Sequence, residues 1–226
     1  MILVPQGAEY KSVCRGLSRS TATKPLVLPI PVGPKPLARY LEKLQQEGHF
    51  RGYVQPSILL MGLCGGLSPH YVVGDIVLYQ DCVYESPVSA RLLRTCDPEL
   101  TNLLHQELKE KVSLVRALTS DRLIWSAAEK CELGKIYAAG VVDMEGFAAL
   151  EALSPNGIAL AMLRVVSDDC HHNIPDLTLA LSLNGSLQPF PLTQRLLRQP
   201  RASARLIRGA LRGLQVLQQV TTFLFP

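Results

Sequence analysis

A chain of 226 residues, 47% hydrophobic and 19% charged, is long enough to build a full core and too apolar to be a disordered segment. Its net charge of +4 is mild, and its six cysteines show neither a CxxC pair nor finger spacing, which reads as reduced, mostly buried thiols in a cytoplasmic protein. The opening MILVPQGAEY lacks the basic and long apolar regions of a signal peptide, and no run reaches the roughly 18 uninterrupted apolar residues that span a bilayer. A single domain over residues 1–226 is expected.

In chain order, Met1 to Val4 predicts a strand, and Pro5-Gln6-Gly7-Ala8 then delivers Glu9 to a loop or helix start. That carboxylate serves either a ligand at a strand end or the macrodipole of the following helix. Tyr10 to Ser20 reads as helix and Thr21 to Lys24 as loop. Pro25 to Val32 reads as an extended edge stretch. Gly33-Pro34-Lys35-Pro36 turns the chain into a helix with apolar positions at Leu37, Leu41 and Leu44; its Pro-led start could hold an anion, although capping explains it equally well.

Ser57 begins an apolar strand that runs into Gly62-Leu63-Cys64-Gly65-Gly66, a block in which glycine allows close ligand approach or positive φ. The spacing matches neither a dinucleotide fingerprint nor a P-loop. A further strand starts at Gly74-Asp75. Glu99 to Lys111 reads as an amphipathic helix and Ser113 to Leu118 as a strand, with Thr119 to Trp125 as the loop beyond its end. Val141 to Asp143 closes another strand before Met144-Glu145, and Gly146 to Leu153 has a helical composition that Ser154-Pro155-Asn156-Gly157 breaks. Ile158 to Val166 reads as a strand buried on both faces of a parallel sheet, ending in Ser167-Asp168-Asp169. Ligands of open α/β sheets bind at strand C-terminal ends, so both carboxylate groups are expected at one edge.

Cys170-His171-His172 invites a metal reading, but adjacent loop residues seldom face one ion and no spaced partner accompanies them, so no metal site is predicted. Two helices are expected near the C-terminus, over 176–183 and 202–220. On the second, Arg198, Arg201, Arg205, Arg208 and Arg212 stack on one side, while Leu206, Ile207, Leu211, Leu214 and Leu217 supply the other. The arginines form either a solvated face or a peripheral contact with anionic lipid. Few aromatics interleave them, which argues against nucleic acid.

Four of these segments, GLCGGLSPHYVVGDIVL, TSDRLI, VVDMEG and MLRVVSDD, occur in that order and together resemble the nucleoside phosphorylase superfamily, above all its methylthioadenosine/adenosylhomocysteine nucleosidase branch. The tail from Ser167 to Pro200 resembles the hopanoid-associated members. The resemblance implies a three-layer α/β/α sandwich around a mixed, partly barrel-like sheet, assembly into a homo-oligomer, and cleavage of the N-glycosidic bond of a purine nucleoside. By the same resemblance Asp168 is the general acid at N7 of the base, with Ser167 beside it. Glu145 holds the ribose hydroxyls, Met144 packs on the sugar, Leu123 and Ile124 meet the base, and Gly65 belongs to the glycine block against the substrate. Glu9 takes the place of the carboxylate that activates water.

The chemistry suits these residue types. Breaking the bond leaves positive charge on the ribose and negative charge on the base, which calls for acceptors at one end and a proton donor at the other. As an acid, Asp168 must hold a proton near neutral pH, through desolvation or a neighbouring charge such as Asp169. Leu60 and Leu63 stand where hexameric phosphorylases carry an Arg and a Ser for phosphate, so phosphate is not expected to be held in that way, although it stays open as a co-substrate. No metal or organic cofactor is implied. Nucleosidases also carry a Ser at the place of Leu63 and a run of acids where this chain has Glu9 followed by Tyr10-Lys11-Ser12. Arg164 could be recruited for an anion, although in the motif it more often serves the strand end structurally. Two alternatives stay open: a nucleoside-binding module without turnover, and a membrane-surface protein that uses the arginine face.

Overall fold

The computed structural model describes residues 1–18, 24–50, 56–85, 92–177, 193 and 196–226. Eight strands form one mixed sheet: β1 (Ile2–Pro5), β2 (Val27–Ile30), β3 (Ser57–Gly66), β4 (Ile76–Tyr84), β5 (Leu93–Thr95), β6 (Val112–Thr119), β7 (Val141–Asp143) and β8 (Ala159–Asp168). Five of them close on themselves, because β3 pairs with β8, β8 with β4, β4 with β6, β6 with β7, and β7 back with β3. β1 and β2 extend the sheet from β3, and β5 extends it from β4. The helices around it are α1 (Ala8–Leu17), α2 (Pro34–Gln46), α3 (Pro98–Leu108), α4 (Ala127–Tyr137), α5 (Gly146–Leu153) and α6 (Pro200–Leu224).

The near-continuous apolar runs of β3 and β8 follow from burial on both faces. Ile58, Leu60, Leu160 and Met162 pack with α2 and α5 through Leu37, Leu41, Phe147 and Leu150. Their alternating neighbours Leu59, Met61, Ala161 and Leu163 pack with α1, α3 and α6 through Val13, Leu104, Leu217 and Val220. Each of these side chains larger than alanine contributes about 1.5–3 kcal/mol of transfer free energy when fully buried.

Local signals set the helix starts. Asp97 accepts the Leu100 N–H at 2.8 Å with Pro98 in the first turn of α3. Ser126 caps α4 by accepting the Glu129 N–H. Gly33 precedes α2 with φ +95°, a conformation that costs glycine nothing, and so points its N–H toward β7 and α5.

Several sequence expectations change form. β8 is parallel to β3 but antiparallel to β4, so it lies in a closed mixed sheet rather than a parallel one. Gly62, Gly65 and Gly66 belong to β3 itself, and none has positive φ. α4 is a helix the sequence reading did not propose. The expected helix over 176–183 lies mostly outside the described residues; Asp176 and Leu177, which are described, are not helical. On α6 the arginines at 201, 205, 208 and 212 are exposed, as is Arg198 just before it, but so are Ile207 and Leu211. Its buried side runs through Ala202, Gly209, Gly213, Val216 and Leu217, because at Gly209 the helix presses on the Ser167 carbonyl, where no side chain fits. No helix among the described residues is long and apolar enough to cross a membrane. The six cysteines are all free.

Candidate active site

β7 and β8 run in opposite directions along the two flanks of β3, and both end beside Gly65: Val142 is opposite Gly65 on one side and Asp168 on the other. The carboxylates therefore meet for a reason other than a shared parallel edge. β7 is only three residues long, so its end crosses the end of β8 at the bulge between Cys64 and Gly65. A cavity of about 200 Å³ opens there. Glu9, Gly65, Leu123, Ile124, Met144, Glu145, Ser167 and Asp168 all line it, which brings every proposed site residue to one place. Pro5, Val32, Leu63, Arg122 and Asp143 complete much of the wall.

At the β7 end the ionic centre is Arg164, fully buried in β8. Its Nη2 donates to Asp143 Oδ2 at 3.1 Å and to Glu145 Oε2 at 3.3 Å. Burial works against the guanidinium charge, but the two carboxylates more than offset it and hold its proton above the ordinary arginine range. Asp143 also accepts from Thr119 Oγ1 at 2.8 Å and from the Gly146 N–H at the start of α5. Glu145 Oε1 accepts the Gly33 N–H at 3.0 Å. Burial raises the Glu145 carboxyl, with Arg164 pulling it back down.

Glu9 reaches the cavity from the first turn of α1. The residue is partly exposed along its length, yet its carboxyl is enclosed and accepts the Leu63 N–H at 2.6 Å. Burial pushes this group up to about 7, against the lowering effects of that N–H and of Arg164. Gly62 explains the close packing: a Cβ there would run into Arg164 Nη1 and come within 2.7 Å of Glu9 Oε1. Arg164 Nη1 and Nε themselves are buried without a hydrogen-bond partner.

At the β8 end Asp168 is held on both oxygens. Ser167 Oγ donates to Oδ1 at 3.0 Å, and the Lys130 ammonium pairs with Oδ2. Lys130 comes from α4, is fully buried and also donates to the Asp169 carbonyl at 3.1 Å. Asp169, which could contribute if it faced inward, does not line the cavity. Its carboxyl turns to the His171 N–H and to His172 Nδ1, which hold it below the usual range although burial acts the other way. Lys130 was missed because nothing in local spacing relates it to Asp168, 38 residues on. The signal available was Ser126-x-x-Glu129, a capping box that starts a helix straight after the TSDRLI loop.

Arg122, from that loop, is tied to Glu85 at 2.9 Å and to Glu129 at 2.7 Å. Among the described residues no group of three or more His, Cys, Asp or Glu is arranged to hold a metal ion.

Four carboxylates of different surroundings, Glu9, Asp143, Glu145 and Asp168, thus line one small cavity in a closed five-stranded mixed sheet ringed by helices. The structure superposes on the 5′-methylthioadenosine/S-adenosylhomocysteine nucleosidase of Helicobacter pylori with a TM-score of 0.70 and 14% identity, covering 99% of this chain and 96% of that one. The futalosine hydrolase of the same organism gives 0.70 and 14%, covering 99% and 95%. The methylthioadenosine/adenosylhomocysteine nucleosidase of Campylobacter jejuni gives 0.62 and 16%, covering 96% and 97%. Among curated proteins no sequence matches. The family model of the phosphorylase superfamily matches residues 19–181. The chain belongs to that superfamily and is an enzyme of the nucleosidase or nucleoside phosphorylase class.

Proposed function

We propose that this protein hydrolyses the N-glycosidic bond of a purine nucleoside, an adenine nucleoside with a modified 5′ position being the best candidate. The observation that carries this reading is the division of labour among the cavity's carboxylates. Glu145 is buried and fixed by Arg164 and the Gly33 N–H, which suits an acceptor for ribose hydroxyls and a counter-charge to the oxocarbenium-like transition state. Glu9, poised at about 7, suits a base that takes a proton from water. Asp168, between Ser167 and Lys130, suits the delivery of a proton to the departing base. Leu123, Ile124 and Met144 supply the apolar wall against base and sugar.

Water is favoured over phosphate as the nucleophile. Among the described residues that line the cavity, the one guanidinium is Arg122, already paired with two glutamates. A phosphate beside Glu9 would meet a carboxylate where it needs a cation.

The test is release of adenine from adenosine, methylthioadenosine and adenosylhomocysteine, with and without phosphate, followed by chromatography. Adenine is expected without phosphate, and Asp168→Asn is expected to slow its release by about 10²–10⁴-fold. Release that depends on phosphate would make the enzyme a phosphorylase. Nucleoside binding without release would leave a binding module.

A further inference from the structure

Lys130 is the one fully buried lysine of the described chain, and the function assigned above names it beside Asp168 without giving it a role of its own. It does not line the cavity, so it can reach a substrate only through Asp168. Its ammonium has two partners, Asp168 Oδ2 and the Asp169 carbonyl. Ser167 Oγ holds the other Asp168 oxygen. Each Asp168 oxygen thus faces a donor, and the donor on Oδ2 is an ammonium that carries a transferable proton.

We infer that Lys130 is the positioning residue of the acid and the source of its proton: the pair Lys130–Asp168 holds one transferable proton, which rests on the lysine nitrogen and passes through Asp168 to the leaving base. The inference rests on the glycosidic reading above. The C1′–N9 bond breaks with its electron pair going to the base. A ring nitrogen of the base takes the proton from Asp168, leaving Asp168 as a carboxylate and Lys130 as a neutral amine. Water adds to the anomeric carbon and gives its proton to Glu9. Solvent then carries that proton away and returns one through Asp168 to Lys130, so each turnover consumes one water and restores all three groups. Lysine is suited to this and arginine is not, because a buried amine can lose its proton and a guanidinium keeps it.

The experiment compares two substrates and two variants. One substrate is the adenine nucleoside the enzyme cleaves best. The other is a nitrophenyl riboside, whose leaving group departs as a stable anion and needs no proton. Lys130→Met removes both charge and proton, and Lys130→Arg keeps the charge and bulk without a transferable proton, with melting curves to check that each variant folds. Both are expected to lose adenine release on the order of 10²-fold or more while nitrophenyl release stays within a few-fold of the parent. Full adenine release by Lys130→Arg would overturn the inference, since charge alone would then suffice. Parallel loss of both substrates in both variants would overturn it as well, by making Lys130 merely structural. Where Asp168→Asn is dead and Lys130→Met is not, the lysine inference fails while Asp168 stands as the acid. Where Asp168→Asn also releases adenine at the parent rate, both readings fail together.

Discussion

At the β7 end of the cavity one buried arginine serves two carboxylates, Asp143 and Glu145, whereas at the β8 end one buried lysine serves a single carboxylate, Asp168. The arginine's planar fork suits several fixed acceptors at once, and its proton never leaves. The lysine's ammonium is compact and, unlike a guanidinium, is able to lose a proton. One end is thus built to keep charge in place and the other to let a proton move. A reaction that leaves a cation on the sugar and an anion on the base needs both.

The sharpest way to break that contrast is Arg164→Met. It leaves the Asp143 and Glu145 carboxylates facing each other in the interior, and the loss of one partner of a buried ion pair costs about 3–5 kcal/mol. For a chain of this length the melting temperature should fall on the order of 10 °C, read by calorimetry or circular dichroism. Lys130→Met, which strands one partly accessible carboxylate rather than two buried ones, should cost clearly less. Equal losses would mean that the two ends are not differently built.

Much of this arrangement was legible in the chain. The apolar runs of β3 and β8 announce strands buried on both faces, and the acids Glu9, Glu145 and Asp168 sit next to such strands, where ligands gather. What was not legible depends on contacts between distant segments. Lys130 looks like any lysine in a polar helix, and only the docking of α4 against the end of β8 buries it. The glycines of β3 suggested ligand approach or positive φ, whereas what a side chain would meet at Gly62 and Gly65 is Arg164, Glu9 and Asp168 from other elements. On α6 the leucine spacing pointed to the wrong seat for the same cause: Gly209 and Gly213 set how closely the helix approaches β3 and β8, and bulk elsewhere follows.

The second contrast lies within the catalytic acids themselves and is read by pH. Glu9 must be ionised to act as a base, so kcat/KM should rise with pH through about 7 and level off above it. Glu9→Gln should remove that limb along with about 10²–10⁴-fold of the rate. Stability should move the opposite way. An unfolded glutamate gives up its proton near 4.5, while the folded one keeps it to about 7. Between those values the folded chain binds more protons, so its stability falls as pH rises through the window and is flat beyond it. Glu9→Gln should flatten that slope. An acid limb that survives in Glu9→Gln would assign the titrating base to another group.

The finest test uses two glycines on the same strand, one at each end of the cavity. An added methyl at Gly62 would meet Glu9 Oε1, which the Leu63 N–H holds, and Nη1 of Arg164, whose guanidinium is held through Nη2 by Asp143 and Glu145. At Gly65 the same methyl would stand 3.0 Å from Asp168 Oδ2 and 3.3 Å from Val142, tight contacts that a small shift relieves. Overpacking of this kind costs about 1–3 kcal/mol, and Gly62→Ala should lie at the upper end and Gly65→Ala at the lower. Their effects on the reaction should separate further. Gly65→Ala pushes on the oxygen that Lys130 holds, so it should slow the release of adenine several-fold and leave a nitrophenyl riboside nearly untouched. Gly62→Ala disturbs the base and the sugar acceptor together and should slow both substrates alike. If Gly65→Ala also slows both, the methyl is acting through the shape of the cavity, and the proton path at the β8 end is not what it perturbs.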